Sequence, residues 1–191
     1  MVFFAWTVLL VFFILSLTAL ILSISIIFVL ILARGVPFVS LPKADWVMMG
    51  ELAELKPGQV VYDLGCGKAN LLVTAAKKFG VKGVGYEISL WPYVWAKWNI
   101  WINRVNVDLR FKNFLKADIK NADVVFCYLF PHVMVELEDK FKTELKPGAK
   151  VISYAFLLPN IVPAKVVSAT PCFSKLTKKP IHTSKIYLYE F

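Results

Sequence analysis

The sequence predicts an α/β fold, a mostly parallel sheet interleaved with helices, set behind one long apolar helix at the N-terminus. Three observations carry that prediction. From Val60 onward, short apolar runs alternate with segments of helical periodicity, the pattern of strand–helix–strand units. A glycine-bearing turn follows the first of those runs, and no charged side chain occurs from Met1 to Ala33.

The run Val60-Val61-Tyr62-Asp63-Leu64 ends in an acid, passes Gly65-Cys66-Gly67, and enters a helix-like stretch at Leu71-Leu72-Val73. Two residues without side chains let a ligand approach the backbone. A second apolar run ends at Glu87, which places a carboxylate at the tip of the neighbouring parallel strand, where it suits the two hydroxyls of a ribose. A Gly-x-Gly turn alone serves packing as readily as binding, and the second acid is what makes this a Rossmann-like nucleotide site. A dinucleotide turn calls for a glycine where this chain has Asn70, and it does not call for an acid before the first glycine. Asp63 therefore tilts the expectation from nicotinamide cofactors to S-adenosylmethionine.

The order Asp63-Leu64-Gly65-Cys66-Gly67, then Val84-Gly85-Tyr86-Glu87, then the aromatic helix Trp91-Pro92-Tyr93-Val94-Trp95 resembles the class I, seven-β-strand methyltransferases. With Pro37-Phe38-Val39, Asp123-Val124-Val125-Phe126 and Leu145-Lys146-Pro147-Gly148 beside it, the chain is similar to the membrane-anchored protein-lysine methyltransferases whose animal members modify the ATP synthase c-subunit and the adenine nucleotide translocase. The resemblance runs from Pro37 to the end of the chain. It implies S-adenosyl-L-methionine as cofactor and a protein substrate.

Taken in order, residues 1–34 read as a transmembrane anchor, because a helix through them spans about 50 Å against a bilayer core of roughly 30 Å. A secretory signal has a shorter apolar region after a basic start. Arg34 and Lys43 follow the segment and no charge precedes it, so the catalytic domain is expected on the cytoplasmic side of a single-pass membrane protein. Residues 35–58 form a linker and a pre-domain helix. The connection from 35 to 42 reaches about 30 Å at most, which holds the domain at the bilayer surface. The helix from Trp46 is expected to pack on the domain, and Lys56-Pro57-Gly58 ends it. Residues 59–191 form the cofactor-binding domain.

Within it, Ser89 is placed to cap a helix with Pro92 in its first turn. Trp91, Trp95, Trp98 and Ile102 fall at helical spacing and are expected to be the face that packs on the sheet. A third strand lies near 107–111 and a fourth at 124–128. A helix spans 133–145 and a fifth strand 150–156. Two further strands, within 164–173 and at 185–191, make the antiparallel hairpin that marks a methyltransferase sheet. Cys66, Cys127 and Cys172 are odd in number and unpaired in spacing, so neither a disulfide framework nor a metal site is expected.

The candidate site residues follow. Glu87 is expected to hold the ribose, Gly65, Cys66 and Gly67 to face the methionine portion, and Ile88 and Phe114 to flank the adenine. Where the family usually has an acid accepting from the adenine amino group, this chain has Asn113, whose amide oxygen can accept instead. By resemblance Asp63 organises the turn and the amino end of the cofactor, and Phe38 joins the cofactor set. Loops at the carboxyl ends of strands hold the ligands of such sheets, so Tyr128, Phe130 and Pro131 form the acceptor wall, with Tyr128 positioning the amine. His132 reads as a helix-start residue.

Lys68-Ala69-Asn70 and Ala155 depart from the family pattern, and Lys68 brings a positive charge close to a cationic cofactor. The formal charge of +9 suits anionic lipid headgroups and also RNA. Lys175, Lys178 and Lys179 are its densest cluster. A methyltransferase for a lipid-like molecule or RNA, and an inactive membrane adaptor, therefore stay open beside protein-lysine methylation. An Asn-Pro-Pro-Tyr-type motif is missing after the fourth strand, which argues against adenine or glutamine amide methylation.

Overall fold

The computed structural model describes residues 2–34, 41–170, 172–173, 180–182 and 184–191. Phe38, Lys175, Lys178 and Lys179 lie outside the described residues. The chain forms two compact units, residues 1–39 and 40–191.

The first unit is helix α1, Val2–Arg34, and an apolar span of 22 residues, Trp6–Ile27, lies within it. Its described side chains are exposed, so it is apolar all round with no protein face to bury. Thr7, Ser16, Thr18, Ser23 and Ser25 each donate their hydroxyl to a carbonyl one turn back, which leaves no hydroxyl proton unsatisfied in an apolar medium.

The second unit is a sheet with helices on both faces. Its elements are α2 (Lys43–Leu52), β1 (Val60–Leu64), α3 (Asn70–Phe79), β2 (Lys82–Glu87), α4 (Leu90–Asn103), β3 (Val107–Phe111), a 3-10 turn at Phe114–Lys116, β4 (Val124–Cys127), α5 (Pro131–Glu144), β5 (Lys150–Tyr154), β6 (Lys165–Ser168), β7 (Cys172–Phe173), β8 (Pro180–His182) and β9 (Lys185–Glu190). The strand order is β3-β2-β1-β4-β5-β9-β6, with β9 antiparallel to both β5 and β6, which is the expected methyltransferase arrangement. The β7–β8 ribbon is a separate pair that sequence periodicity did not disclose, because its strands are too short to show any.

Alternation along each strand splits the core. Val61, Val124 and Phe126 pack with α2 and α3, whereas Tyr62, Leu64, Val125 and Cys127 pack with Met134, Leu137 and Phe141 of α5. Both faces of the central strands are buried, which is why they read as continuous apolar runs. The connection after β1 turns to one side, towards β2, and that after β4 to the other, towards β5, so a crevice opens above the carboxyl ends of β1 and β4.

Helix α2 packs on α3 as expected. Its anchor is Asp45, fully buried, whose two carboxylate oxygens accept from the Tyr154 hydroxyl at 2.9 Å and the Thr170 backbone N–H at 2.8 Å. One side chain thus joins the first helix of the domain to the end of β5 and to the segment after β6. Burial, then the hydrogen bond to Asp45, pushes the Tyr154 hydroxyl up to about 12, so it stays a donor at any physiological pH.

One expectation fails. Trp91, Trp95, Trp98 and Ile102 do not face the sheet: they are 63%, 55%, 54% and 58% exposed, and the face that packs inward is centred on Ala96. A small residue lets α4 lie close to its neighbours, while Asn99 is spent on hydrogen bonds to the Lys68 carbonyl and the Asn70 amide oxygen. Ser89 does occupy the position before α4, but its side chain makes no capping hydrogen bond.

Removing the Asp45 carboxylate strands a buried hydroxyl and a partly buried N–H. Asp45→Ala is expected to cost about 3 kcal/mol of stability, read as a lowered thermal midpoint in detergent, with Asp45→Asn losing less because one acceptor survives.

Candidate active site

The turn after β1 is built from residues held in left-handed backbone. Gly65, Gly67 and Ala69 have φ of 83°, 53° and 57°. Glycine takes that conformation freely, whereas Ala69 does so at a cost of order 1 kcal/mol. Two N–H groups, of Gly65 and Cys66, converge on the Tyr86 carbonyl at 3.0 and 2.9 Å, and Ala69 N–H closes the turn on the Cys66 carbonyl at 2.8 Å. The loop is thereby tied to β2 rather than left to solvent. Gly85 opposite must lack a side chain, since a Cβ there would meet Cys66 Sγ at 2.9 Å and Leu72 Cδ1 at 3.0 Å. Cys66 is a packing residue: burial first, then the Asp63 and Glu87 carboxylates, push its thiol far above the ordinary range.

Asp63 and Glu87 are each 8% exposed and stand at the ends of the adjacent strands β1 and β2. Their environments differ. Glu87 accepts from the Gly67 N–H through Oε2 at 3.0 Å and from the Ser89 N–H through Oε1 at 2.7 Å. The carboxylate expected to hold a ribose therefore also pins the glycine turn and the start of α4, and each oxygen keeps lone-pair capacity for another donor. Among the described residues no donor offsets the burial of Asp63. Desolvation, with the Glu87 charge second, raises its carboxyl to about 7. A desolvated acid beside another acid stores a demand for positive charge.

On the far side of the crevice the chain leaves β4 through Tyr128, Leu129 and Phe130. Leu129 Cδ2 lies 3.4 Å from where a Gly65 Cβ would be, so the loops after β1 and β4 approach each other closely. Tyr128 is half-buried with its ring edge-on to Tyr154 at 5.0 Å and stacked on Phe156 at 6.2 Å. Phe130 meets Phe156 at 6.2 Å and His132 at 6.1 Å. Pro131 is the first residue of α5, where its missing N–H costs nothing. The aromatic cluster draws on Tyr154 at the end of β5 and Phe156 just after it, which the sequence did not single out. The pairing of β4 with β5 puts Tyr154 and Phe156 beside the β4 loop, a neighbourhood that strand order alone discloses.

The remaining candidates are more dispersed. Ile88 follows Glu87 and is exposed. Phe114 is half-buried against the α5-side core. The Asn113 amide oxygen accepts from the Leu115 N–H at 2.9 Å, capping the 3-10 turn, so the atom expected to meet an adenine amino group already has one donor. Lys68 is exposed, with its ammonium 5.6 Å from the Trp95 ring centroid. Ala155, at the departure from the family pattern, sits at φ 68° with its N–H on the Lys185 carbonyl at 2.8 Å.

Comparison with known proteins places this geometry. The ANTKMT methyltransferase domain matches residues 63–165. A protein-lysine N-methyltransferase of Saccharolobus islandicus is 38% identical over 135 residues, covering 69% of this chain and 84% of its own length. The adenine nucleotide translocase lysine N-methyltransferase of Mus musculus is 32% identical over 69% of this chain and 58% of its own, and the lysine N-methyltransferase of the ATP synthase c-subunit from Xenopus laevis 33% identical over 54% and 46%. The chain thus spans about half the length of these two animal relatives. Among solved structures, an RNA methyltransferase from Salinibacter ruber in complex with S-adenosyl-L-homocysteine superposes with a TM-score of 0.70 at 30% identity, covering 80% of this chain and 93% of that one.

The Asp63 carboxyl gives a test that needs no substrate. With a native pKa of about 7 against 3.8 unfolded, the folded state holds the proton more tightly, so this group's contribution to stability falls as pH rises from about 4 to 7 and is flat above. Asp63→Asn removes the penalty. The variant's thermal midpoint, measured without ligand, is expected to exceed the parent's at pH 8 by more than it does at pH 5.

Proposed function

This chain belongs to the ANTKMT methyltransferase family, and from that premise we propose that it is a membrane-anchored enzyme transferring a methyl group from S-adenosyl-L-methionine to a protein lysine side chain. The observation that carries the proposal is the pair of buried carboxylates at the ends of β1 and β2, one of them lacking any donor among the described residues and so suited to a cationic ligand.

The residues present fit the cofactor. Asp63 would receive its amino group, Glu87 its ribose hydroxyls, and the backbone of Gly65, Cys66 and Gly67 its methionine portion. Ile88 and Phe114 would flank the adenine, and the Asn113 amide oxygen would accept from its amino group. When bound, the cofactor supplies a methyl already activated on sulfonium, so no protein nucleophile is required. The work left to the chain is alignment and deprotonation. A lysine amine is about 99.9% protonated at pH 7 given a reference pKa near 10.4, and only the neutral form has a lone pair to donate. The Tyr128, Phe130 and Pro131 wall desolvates the amine, and the Tyr128 hydroxyl orients it in a near-attack geometry. Lys68 is exposed, with its ammonium over the Trp95 ring.

Helix α1 is the proposed anchor. Its 33 residues exceed the length a bilayer core needs, and Arg34 at its end and Lys43 beyond it favour a catalytic domain on the cytoplasmic side. The acceptor is then a lysine near the membrane surface, in a membrane protein or a protein held there. RNA is the second reading, supported by the Salinibacter ruber protein named as an RNA methyltransferase and by the net charge of +9.

Membranes containing the full chain, incubated with methyl-labelled cofactor, should place label in a protein band, and hydrolysis should recover it as methylated lysine. Label in RNA or in an organic extract instead would overturn the lysine assignment. Glu87→Ala is expected to weaken S-adenosylhomocysteine binding roughly 100-fold, through lost acceptors and a loosened turn, and to abolish labelling.

A further inference from the structure

Helix α4 spends little of its apolar surface on its own domain. The side packed on α3, β2 and β3 holds Tyr93, Ala96, Asn99, Ile100 and Asn103, of which Ala96 alone is fully buried. Asn99 and Asn103 are linked to each other, and Lys77 Nζ donates to Asn103 Oδ1 at 2.7 Å, so this inner face mixes apolar packing with satisfied polar groups. The outer side carries Trp91, Trp95, Trp98 and Trp101, at 63%, 55%, 54% and 69% exposure, with Val94 and Ile102 between them. Side chains of roughly 200 Å² each, more than half exposed, sum to more than about 400 Å², the scale at which an apolar patch on a soluble surface marks an interaction site.

We propose that this face of α4 docks into the headgroup region of a lipid bilayer. The inference rests on the anchoring assigned to α1 above, and three observations select lipid over other occupants. Tryptophan is the residue that favours the membrane–water boundary, where the ring is buried and the indole N–H stays hydrogen-bonded, and four of the chain's six tryptophans stand on this single helix. From Ile88 to Val107 there is no acidic residue, while Lys97 and Arg104 supply positive charge. That balance suits anionic headgroups and sets like charges against each other if two copies were to meet through this face. A connection of about 30 Å reach, 35–42, keeps the domain of an anchored chain near the bilayer, so docking costs little further entropy, an advantage no soluble partner shares. The consequence is functional. Ile88 and Leu90 are exposed and directly follow Glu87, so the docked face begins at the edge of the candidate active site and would set its opening near the headgroups, within reach of lysines at the ends of other proteins' membrane segments.

The distribution of tryptophan permits a direct test. In the full chain carrying Trp6→Phe and Trp46→Phe, all remaining tryptophan emission comes from α4. Reconstituted into phosphatidylcholine–phosphatidylglycerol vesicles, this protein is expected to float with the lipid, to emit to the blue of its value in detergent-free denaturant, and to lose about half its emission when the lipid is brominated close to the headgroup. Adding Trp98→Glu and Trp101→Glu should restore the emission of Trp91 and Trp95 while S-adenosylhomocysteine binding is kept. Flotation without quenching overturns the proposal and leaves the anchor standing: red emission then means a face open to water, and blue emission a face covered by protein. Failure to float at all overturns the anchor and this inference together.

Discussion

Two carboxylates brought out of water side by side are the constraint on which the rest of the domain depends. Like charges at the tips of adjacent strands disfavour each other, and desolvation disfavours both. The structure answers differently for each. Glu87 is stabilised by the N–H groups of Gly67 and Ser89, whereas Asp63 is left unrelieved with its carboxyl raised to about 7. The turn of left-handed residues, the bare backbone at Gly85 and the convergence of two N–H groups on the Tyr86 carbonyl all serve to hold that arrangement in place. Part of the folding free energy is held back at this spot.

Strand order turns the local arrangement into a site. Because the connections after β1 and β4 leave in opposite directions, the topology sets the candidate site above their carboxyl ends, and Leu129 against Gly65 brings the two loops close. The acid-lined wall comes from β1 and β2, the aromatic wall from the ends of β4 and β5. Asp45 braces the second wall at a distance: by holding the Tyr154 hydroxyl it orients a ring that in turn meets Tyr128 edge-on. The aromatic wall is therefore coupled to the helix that begins the domain.

The strands and the carboxylate pair were legible in the sequence because their signals are local. Alternation and apolar runs mark strands, and an acid before Gly65 with another at Glu87 follows from the spacing of one strand–turn–helix–strand unit. What the sequence concealed depends on direction or on distance. Periodicity locates a stripe on α4 but not which way it faces, and the inward face is held by Ala96 and by hydrogen bonds of Asn99 that no hydrophobic pattern shows. The partners of Asp45, Tyr154 and Thr170, lie more than a hundred residues away. The second duty of Glu87, accepting from its own chain, was equally hidden, since an unliganded acid and a self-bonded one have the same sequence. The left-handed Ala69 and Ala155 are imposed by tertiary hydrogen bonds against intrinsic preference.

Asp63, its carboxyl raised by burial and by Glu87, is the proposed seat of the ligand's cation, and proton counting tests that assignment most directly. Calorimetric titration of the full chain with S-adenosylhomocysteine at pH 6, repeated in buffers of different ionisation enthalpy, measures protons exchanged on binding. With the carboxyl at about 7 in the free protein and a ligand amino group that is charged at pH 6, close to one proton should be released at pH 6, and none in Asp63→Asn. Tight binding with no proton released at pH 6 would contradict the account, as would release that survives the substitution.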